Sequence, residues 1–416
     1  MSRKDDGLSS FQRTQQLAFK IDYSFPVYFT VDLFAPDNPA FFEAVTRLEP
    51  SQRHKMLLVI DHAVTTACPE LIGNIEKYFE VHRDSIELLG APLLTTGGEA
   101  SKNDFAPILG LLSAMNARGI DRHSFIAVIG GGAVLDMACF AAAVAHRGVR
   151  AIRIPTTVLS QCDSGVGVKN AINLFGKKNF IGTFAPPFAV LNDFRFVETL
   201  EHRDKIAGIA EAVKVALIRD RAFYEFLEGN VKRLARAELD ALIGPIRRSA
   251  QLHMEHIRTS GDPFELGSAR PLDFGHWSAH RLESMTANRL RHGEAVAIGM
   301  ALDLVYSVRR GYLRPDCAER ILTLLETLGL ALWDEALLRQ DQNGTYLVLA
   351  GLREFREHLG GSLHITLIRD IGRSFEVQEM DETIILDSIH WLQRRAENRR
   401  AVGSRSSPAL DQEKAV

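Results

Sequence analysis

The stretch Phe125-Ile-Ala-Val-Ile-Gly-Gly-Gly-Ala-Val-Leu-Asp136 decides how this chain is read. Its first five residues are apolar and mostly β-branched or aromatic, the mark of a buried strand. Three glycines follow, and a helix-like run continues over 134–146. A strand passing through glycines into a helix presents bare backbone N–H groups at a helix start, where a diphosphate can approach closely. The spacing departs from the G-x-G-x-x-G dinucleotide fingerprint, so the loop alone also fits a plain tight turn. Asp136, one turn into the helix, is a candidate acceptor for a ribose or nicotinamide group.

Outward from this unit, the runs 56–60, 151–154 and 188–191 also read as buried strands, and 105–117 as a helix. Strands alternating with helices predict a parallel sheet covered on both faces. After about residue 199 the texture changes, and helix formers dominate 206–258 and 276–328. The expected fold is an α/β nucleotide-binding domain over 21–197 followed by a mostly α-helical domain over 198–396. Flexible ends are expected at 1–20 and 397–416. The alternation over 363–368 predicts one late strand on the helical domain.

Composition excludes several classes. The 416 residues are 46% hydrophobic and 24% charged, with a net charge of −3. That balance gives no basis for a nucleic-acid partner. No uncharged apolar run reaches the roughly 18–20 residues that span a bilayer, so no membrane partner is expected. Cys68, Cys139, Cys162 and Cys317 form no C-x-x-C pair, which argues against a disulfide scaffold or a cysteine zinc site. Reduced thiols, and with no apolar leader after the polar N-terminus a cytoplasmic location, are expected.

Further motifs carry chemistry. Gly97-Gly-Glu-Ala-Ser-Lys102 is a second glycine turn, and Pro155-Thr-Thr157 ends a strand where doubly wound sheets bind ligands. Asp163 to Asn170 with Gly176-Lys-Lys-Asn179 joins glycines to three lysines, which suits a phosphate monoester or simply a solvated loop. Phe180 to Phe184 is too apolar for a free surface loop. Glu211 and Lys214 share one face of an apolar helix, where an acid is costly unless paired or metal-bound. His276 and His280 lie at i,i+4, but Trp277 replaces the glutamate of the zinc-protease pattern. Glu211, His276 and His292 make an N₂O donor set suited to Zn²⁺ with room for substrate oxygens.

Taken in order, these motifs resemble the sugar phosphate cyclases, which include 3-dehydroquinate synthases and the valiolone-forming enzymes. The resemblance spans about residues 55–380. It implies metal ligands Glu211, His276 and His292 for Zn²⁺ or Co²⁺. It implies NAD contacts from Asp61, Glu99, Lys102, Gly131, Gly132, Asp136, Thr156, Thr157, Asp163, Lys178 and Thr199. Lys169, Asn179, His280 and Lys214 would face the sugar phosphate, and Arg147 would reach the neighbouring subunit's phosphate in a homodimer. Where 3-dehydroquinate synthases hold a substrate carboxylate with arginine and asparagine, this chain has Arg270, shifted by one residue, and Asp273. His358 stands near a family lysine. These departures are similar to 2-epi-5-epi-valiolone synthases and EboD-like cyclases, which implies sedoheptulose 7-phosphate as substrate. The alternatives are a 3-dehydroquinate synthase and a metal-dependent polyol dehydrogenase.

Overall fold

The computed structural model describes residues 16–175, 177–260, 262–264, 273–358 and 363–405; the side chains of 358 and 402–405 fall outside the description. The strands are β1 (Val27–Thr30), β2 (His54–Asp61), β3 (Ile86–Leu88), β4 (Leu93–Thr95), β5 (Phe125–Gly130), β6 (Arg150–Pro155), β7 (Lys169–Leu174), β8 (Lys177–Phe184), β9 (Ala189–Asp193), β10 (Ile365–Asp370) and β11 (Arg373–Val377). Seven of them form one parallel sheet in the order β1-β9-β6-β5-β2-β3, with β4 also paired to β2. On β2, Met56, Leu58 and Ile60 face one core with Ile75 and Tyr78, while Leu57 and Val59 face another with Met115 and Met137. Burial on both faces explains why the strands read as unbroken apolar runs rather than alternations.

The expected helices appear at Ala106–Ala117 and Gly132–Val144, the second directly after β5. The segment 169–184, expected as a glycine-lysine loop, is instead the antiparallel hairpin β7–β8. Its Phe180 and Phe184 are exposed, so their apolar character did not bury them. The late strand is also half of a hairpin, β10–β11. The last helix, Glu382–Arg405, runs past residue 397, where a flexible tail was expected.

One arginine shapes the approach to the site. Arg153 on β6 is 1% exposed and makes no ion pair among the described residues. It donates instead to the backbone oxygens of Ser164 (3.2 Å), Gly165 (3.2 Å), Gly167 (2.7 Å) and Lys169 (3.0 Å), and to Asn170 Oδ1 (2.6 Å). A buried guanidinium needs its donors satisfied, and the 164–170 turn wraps around its two terminal nitrogens to do so, while Nε has no hydrogen-bond partner among the described residues.

The helical part is built on His202–Arg219, Leu239–Thr259, His276–Met285 and His292–Arg309. Two glycines let the last of these approach its neighbours. A Cβ on Gly293 would stand 1.7 Å from Ala207 O, and one on Gly299 2.0 Å from Gly275 O. Gly275 itself has φ 77°, a left-handed entry to the His276 helix that a side chain would strain.

Replacing Arg153 with Met removes the donors and leaves five oxygens facing an apolar group. We expect a loss of about 3–5 kcal/mol in unfolding free energy, read from urea midpoints. A shift below about 1 kcal/mol contradicts this account of the turn.

Candidate functional site

Three helices deliver the metal-type donors. Glu211 comes from the His202–Arg219 helix, His276 opens its helix, and His292 opens the next. Their ligand atoms all lie within 4.8 Å of one another. His276 Nε2 is 3.7 Å and His292 Nε2 3.4 Å from Glu211 Oε1. Lys214 Nζ lies 2.5 Å from Glu211 Oε2, yet neither buried carboxylate oxygen has an aligned hydrogen-bond donor among the described residues. A buried oxygen pair without aligned donors, facing two imidazole nitrogens, fits a divalent cation of the zinc type.

The electrostatics follow from burial and neighbours. Burial pushes the Glu211 carboxyl up, but Lys214 and His292 outweigh it and hold the group at about 2. Burial and Lys214 drive His276 well below its ordinary value, so it stays neutral. His292 moves the other way: burial disfavours its charge, but Glu283 and Glu211 raise it to about 10. The two imidazoles diverge because one faces a lysine and the other two carboxylates. Lys214 is desolvated, but Glu211, Asp163 and Asp273 raise its pKa, which puts Asp273 within electrostatic reach of the site. His280 lies with its ring centroid 5.3 Å from that of His276 and 5.9 Å from that of His292.

Of the expected nucleotide contacts, Asp61, Gly131, Gly132, Thr156 and Thr157 lie at the ends of β2, β5 and β6. Asp61 closes β2 and accepts the Ala63 N–H at 3.0 Å; a Cβ on Gly97 would stand 2.0 Å from its Oδ2. Gly131 is the extended N-cap of the Gly132–Val144 helix, and no side chain caps it. The helix start therefore offers its backbone N–H groups, as a diphosphate requires. Thr156 is buried, its N–H donating to Gly130 O at 3.0 Å, and Thr157 packs where a Cβ on Gly131 would come within 3.2 Å. Lys102 Nζ donates to Asp136 at 2.7 Å and to Asn179 Oδ1 at 2.6 Å. Asn179 thus contacts this cluster, although it was expected on the phosphate side. Thr199 directs its hydroxyl to Phe196 O at 2.8 Å. Asp163 is paired with His253 at 2.7 Å, and this imidazole and Lys214 lower its pKa despite burial.

A chain of charges joins the two clusters. His292 Nδ1 lies 3.1 Å from Glu283 Oε2, Lys178 Nζ is 2.9 Å from Glu283 Oε1, and Lys178 is 3.6 Å from Glu99. Glu99 in turn accepts from Asn173 Nδ2 at 3.0 Å. Lys169 is exposed at the start of β7. Arg147 is exposed with φ 65° and has no hydrogen bond or ion pair into this network among the described residues. Arg270 and the side chain of His358 lie outside the described residues. Sequence reasoning missed Glu283, His253 and Arg153. Glu283 had a usable signal, since it lies three residues after His280 and seven after His276 on one helix.

Comparison with known proteins adds family context. Residues 93–207 match the model described as 3-dehydroquinate synthase N-terminal, and 208–347 the one described as 3-dehydroquinate synthase C-terminal. A 3-dehydroquinate synthase of Geobacter sp. is 40% identical over 257 residues, 61% of this chain and 70% of that protein. One of Roseobacter denitrificans is 34% identical over 306 residues, 73% of this chain and 81% of that protein. Among solved structures, ValA, a 2-epi-5-epi-valiolone synthase of Streptomyces hygroscopicus with NAD⁺ and Zn²⁺ bound, is 29% identical. It superposes with a TM-score of 0.80, covering 92% of this chain and all (100%) of that one.

Two expectations test this geometry. Gly293→Ala forces the His292 helix away from Ala207 while leaving all three donors in the sequence. Zinc binding, measured by chelator competition, should weaken at least tenfold; unchanged affinity contradicts the packing argument. Asp303 is buried, accepts Gly275 N–H and Trp277 Nε1–H, and is pushed up to about 7 by its burial. A raised acid keeps a proton that the unfolded chain releases. Its contribution to stability is complete below about pH 4 and is lost as pH rises through about 7. Asp303→Asn lacks this term, so wild type should lose stability relative to the variant between those values. A flat difference in denaturation curves rules the assignment out.

Proposed function

We infer the function from the premise that this chain belongs to the 3-dehydroquinate synthase family of sugar phosphate cyclases. It is a sugar phosphate cyclase. The observation that carries the active-site assignment is the convergence of Glu211, His276 and His292, with Lys214 on the same carboxylate. Glu211, His276 and His292 would hold Zn²⁺ or Co²⁺, and the glycine-led end of β5 would hold NAD. When bound, these groups supply a Lewis acid for developing oxygen charge and a hydride acceptor that returns its hydride within the turnover.

The chain's own groups do the rest. Lys214, kept protonated by carboxylate neighbours, donates hydrogen bonds to substrate hydroxyls and to the charge that develops on them. His280 and Lys169 hold the leaving phosphate, and Asn179 bridges that group to Lys102. Asp61, Gly131, Gly132, Thr156 and Thr157 seat the nucleotide. Lys178, between Glu99 and Glu283, ties the nucleotide edge to the metal edge. A homodimer in which Arg147 reaches the other subunit's phosphate belongs to this proposal, as does a cytoplasmic setting. No helix among the described residues is long and apolar enough to cross a membrane.

Two substrates compete. The relatives named 3-dehydroquinate synthase favour the carboxylated seven-carbon ketose phosphate used by such enzymes, and that is our first reading. It displaces the valiolone reading drawn from the sequence. Sedoheptulose 7-phosphate stays second because of Asp273, whose negative charge lies within reach of Lys214, and because of the likeness to ValA. A substrate carboxylate about 4 Å from Asp273 would be repelled by on the order of 4 kcal/mol at an effective dielectric near 20.

The test is phosphate release measured in parallel with both substrates. The first reading expects faster turnover of the carboxylated substrate. Faster turnover of sedoheptulose 7-phosphate, with a gap that Asp273→Asn narrows, establishes the second. In either case exhaustive chelation should abolish activity and Zn²⁺ or Co²⁺ should restore it. NAD should be required without NADH accumulating in step with phosphate. Stoichiometric NADH would point to a polyol dehydrogenase instead.

A further inference from the structure

The helix that carries Glu211 and Lys214 ends in a cavity of its own. It encloses about 1000 Å³, and no residue of the metal-type or nucleotide-type clusters lines it. Glu211 and Arg219 stand eight residues apart on this helix, about 12 Å of rise. The floor is apolar: Ile218 and Leu252 are buried, and Phe375 packs against the same core. The walls are basic. Arg219 comes from the helix end, Arg314 from the start of the Pro315–Thr327 helix, and Arg369 and Arg373 from either side of the β10–β11 turn. No side chain caps the Pro315–Thr327 helix, so its N-terminal potential adds to theirs.

Two acids, Glu255 and Asp370, share the cavity, but Asp370 is held by Arg221 at 2.6 Å. Arg221 and Arg248, beside the same helix end, each have a carboxylate partner. Arg219, Arg369 and Arg373 have no ion pair among the described residues. Arg219 Nη2 donates to His256 Nδ1 at 2.8 Å, and the Arg369 guanidinium lies 4.5 Å over the Phe375 ring, so packing orients both. Burial lowers the Arg219 pKa, with the Glu255 charge acting against it.

We propose that this cavity binds the phosphate group of a small molecule, at a site separate from the metal-type and nucleotide-type clusters. Charges of one sign lining a concave surface raise the local concentration of their counter-ion. A phosphate suits these donors better than a carboxylate. Its tetrahedral oxygens accept forked donors from several directions, whereas a planar carboxylate is saturated by one or two forks. The hairpin and the helix end are already in contact: Gly372 N–H donates to Leu217 O at 2.7 Å, and a Cβ on Gly372 would stand 2.8 Å from Arg221 N. A phosphate held by Arg219, Arg369 and Arg373 bridges these two elements. The site stands independently of which sugar phosphate the enzyme turns over. Free inorganic phosphate and a phosphate monoester share this chemistry, and the test separates them.

The experiment uses the full chain and modification of arginines by phenylglyoxal, read residue by residue by mass spectrometry. Inorganic phosphate and glycerol 2-phosphate are compared with chloride at equal ionic strength. At about ten times the dissociation constant roughly one site in eleven is empty, so Arg219, Arg369 and Arg373 should each react about tenfold more slowly. Arg122, exposed in the α/β domain, should react at an unchanged rate. Arg373 is exposed, so Arg373→Gln leaves the core intact, and it should remove the protection of Arg219 and Arg369. Lys169→Gln, at the proposed active site, should leave that protection in place. Protection by inorganic phosphate alone identifies the free anion as the ligand, and protection by glycerol 2-phosphate as well identifies a monoester. The proposal is overturned if neither compound slows the three arginines beyond chloride, or if Arg122 is slowed equally. It is also overturned if Arg373→Gln leaves the protection of Arg219 and Arg369 unchanged.

Discussion

A fully buried carboxylate governs the helical half of this protein. Glu211 lies in the middle of an apolar helix with no solvent to screen it. An isolated ionised acid there would cost many kcal/mol, so the surrounding structure has to supply positive charge or a cation. Lys214 supplies part of it from the same helix, one turn on. The remainder comes from His292, or from a cation held by it and the neutral His276; both histidines belong to other helices and reach Glu211 only if those helices pack at backbone contact. That requirement accounts for Gly293 against Ala207 and Gly299 against Gly275. It also accounts for the Asp303 carboxyl, which grips the backbone of Gly275 and the indole of Trp277 on either side of His276.

The same charge reaches the other half of the molecule. His292 uses one ring nitrogen toward Glu211 and the other toward Glu283, so its orientation is held from both sides. Second partners of this kind set the tautomer and direction of a metal-binding imidazole. Glu283 is itself shared with Lys178 on β8, and Lys178 with Glu99 at the nucleotide edge. The metal-type and nucleotide-type clusters are therefore joined in one electrostatic network. Arg153 supports it from below. By gathering the oxygens of 164–170, it fixes the turn that delivers Asp163 and Lys169 on either side of the hairpin entry.

Much of this was legible in the order of residues. The strand–glycine–helix unit at 125–136, the buried strands and the change to helical texture near 199 follow from local periodicity, which burial on one or two faces imposes directly. Glu211 announced itself as an acid in an apolar helix, and the histidines as a plausible donor set. The hairpin β7–β8 was not legible, because its strands carry lysines, asparagines and glycines that satisfy site and turn rather than a core, and strand propensity depends on that context. Arg153 stands as one polar residue in an apolar strand run, and Glu283 drew no reading at all. What each does depends on partners that lie 11 to 17 and 9 to 105 residues away along the chain. Sequence pattern thus determined which elements form and which face of each is apolar, since those are properties of neighbouring residues. Only the tertiary structure decided which charges meet, because the cost of a buried charge is set by groups that the fold brings together from distant positions.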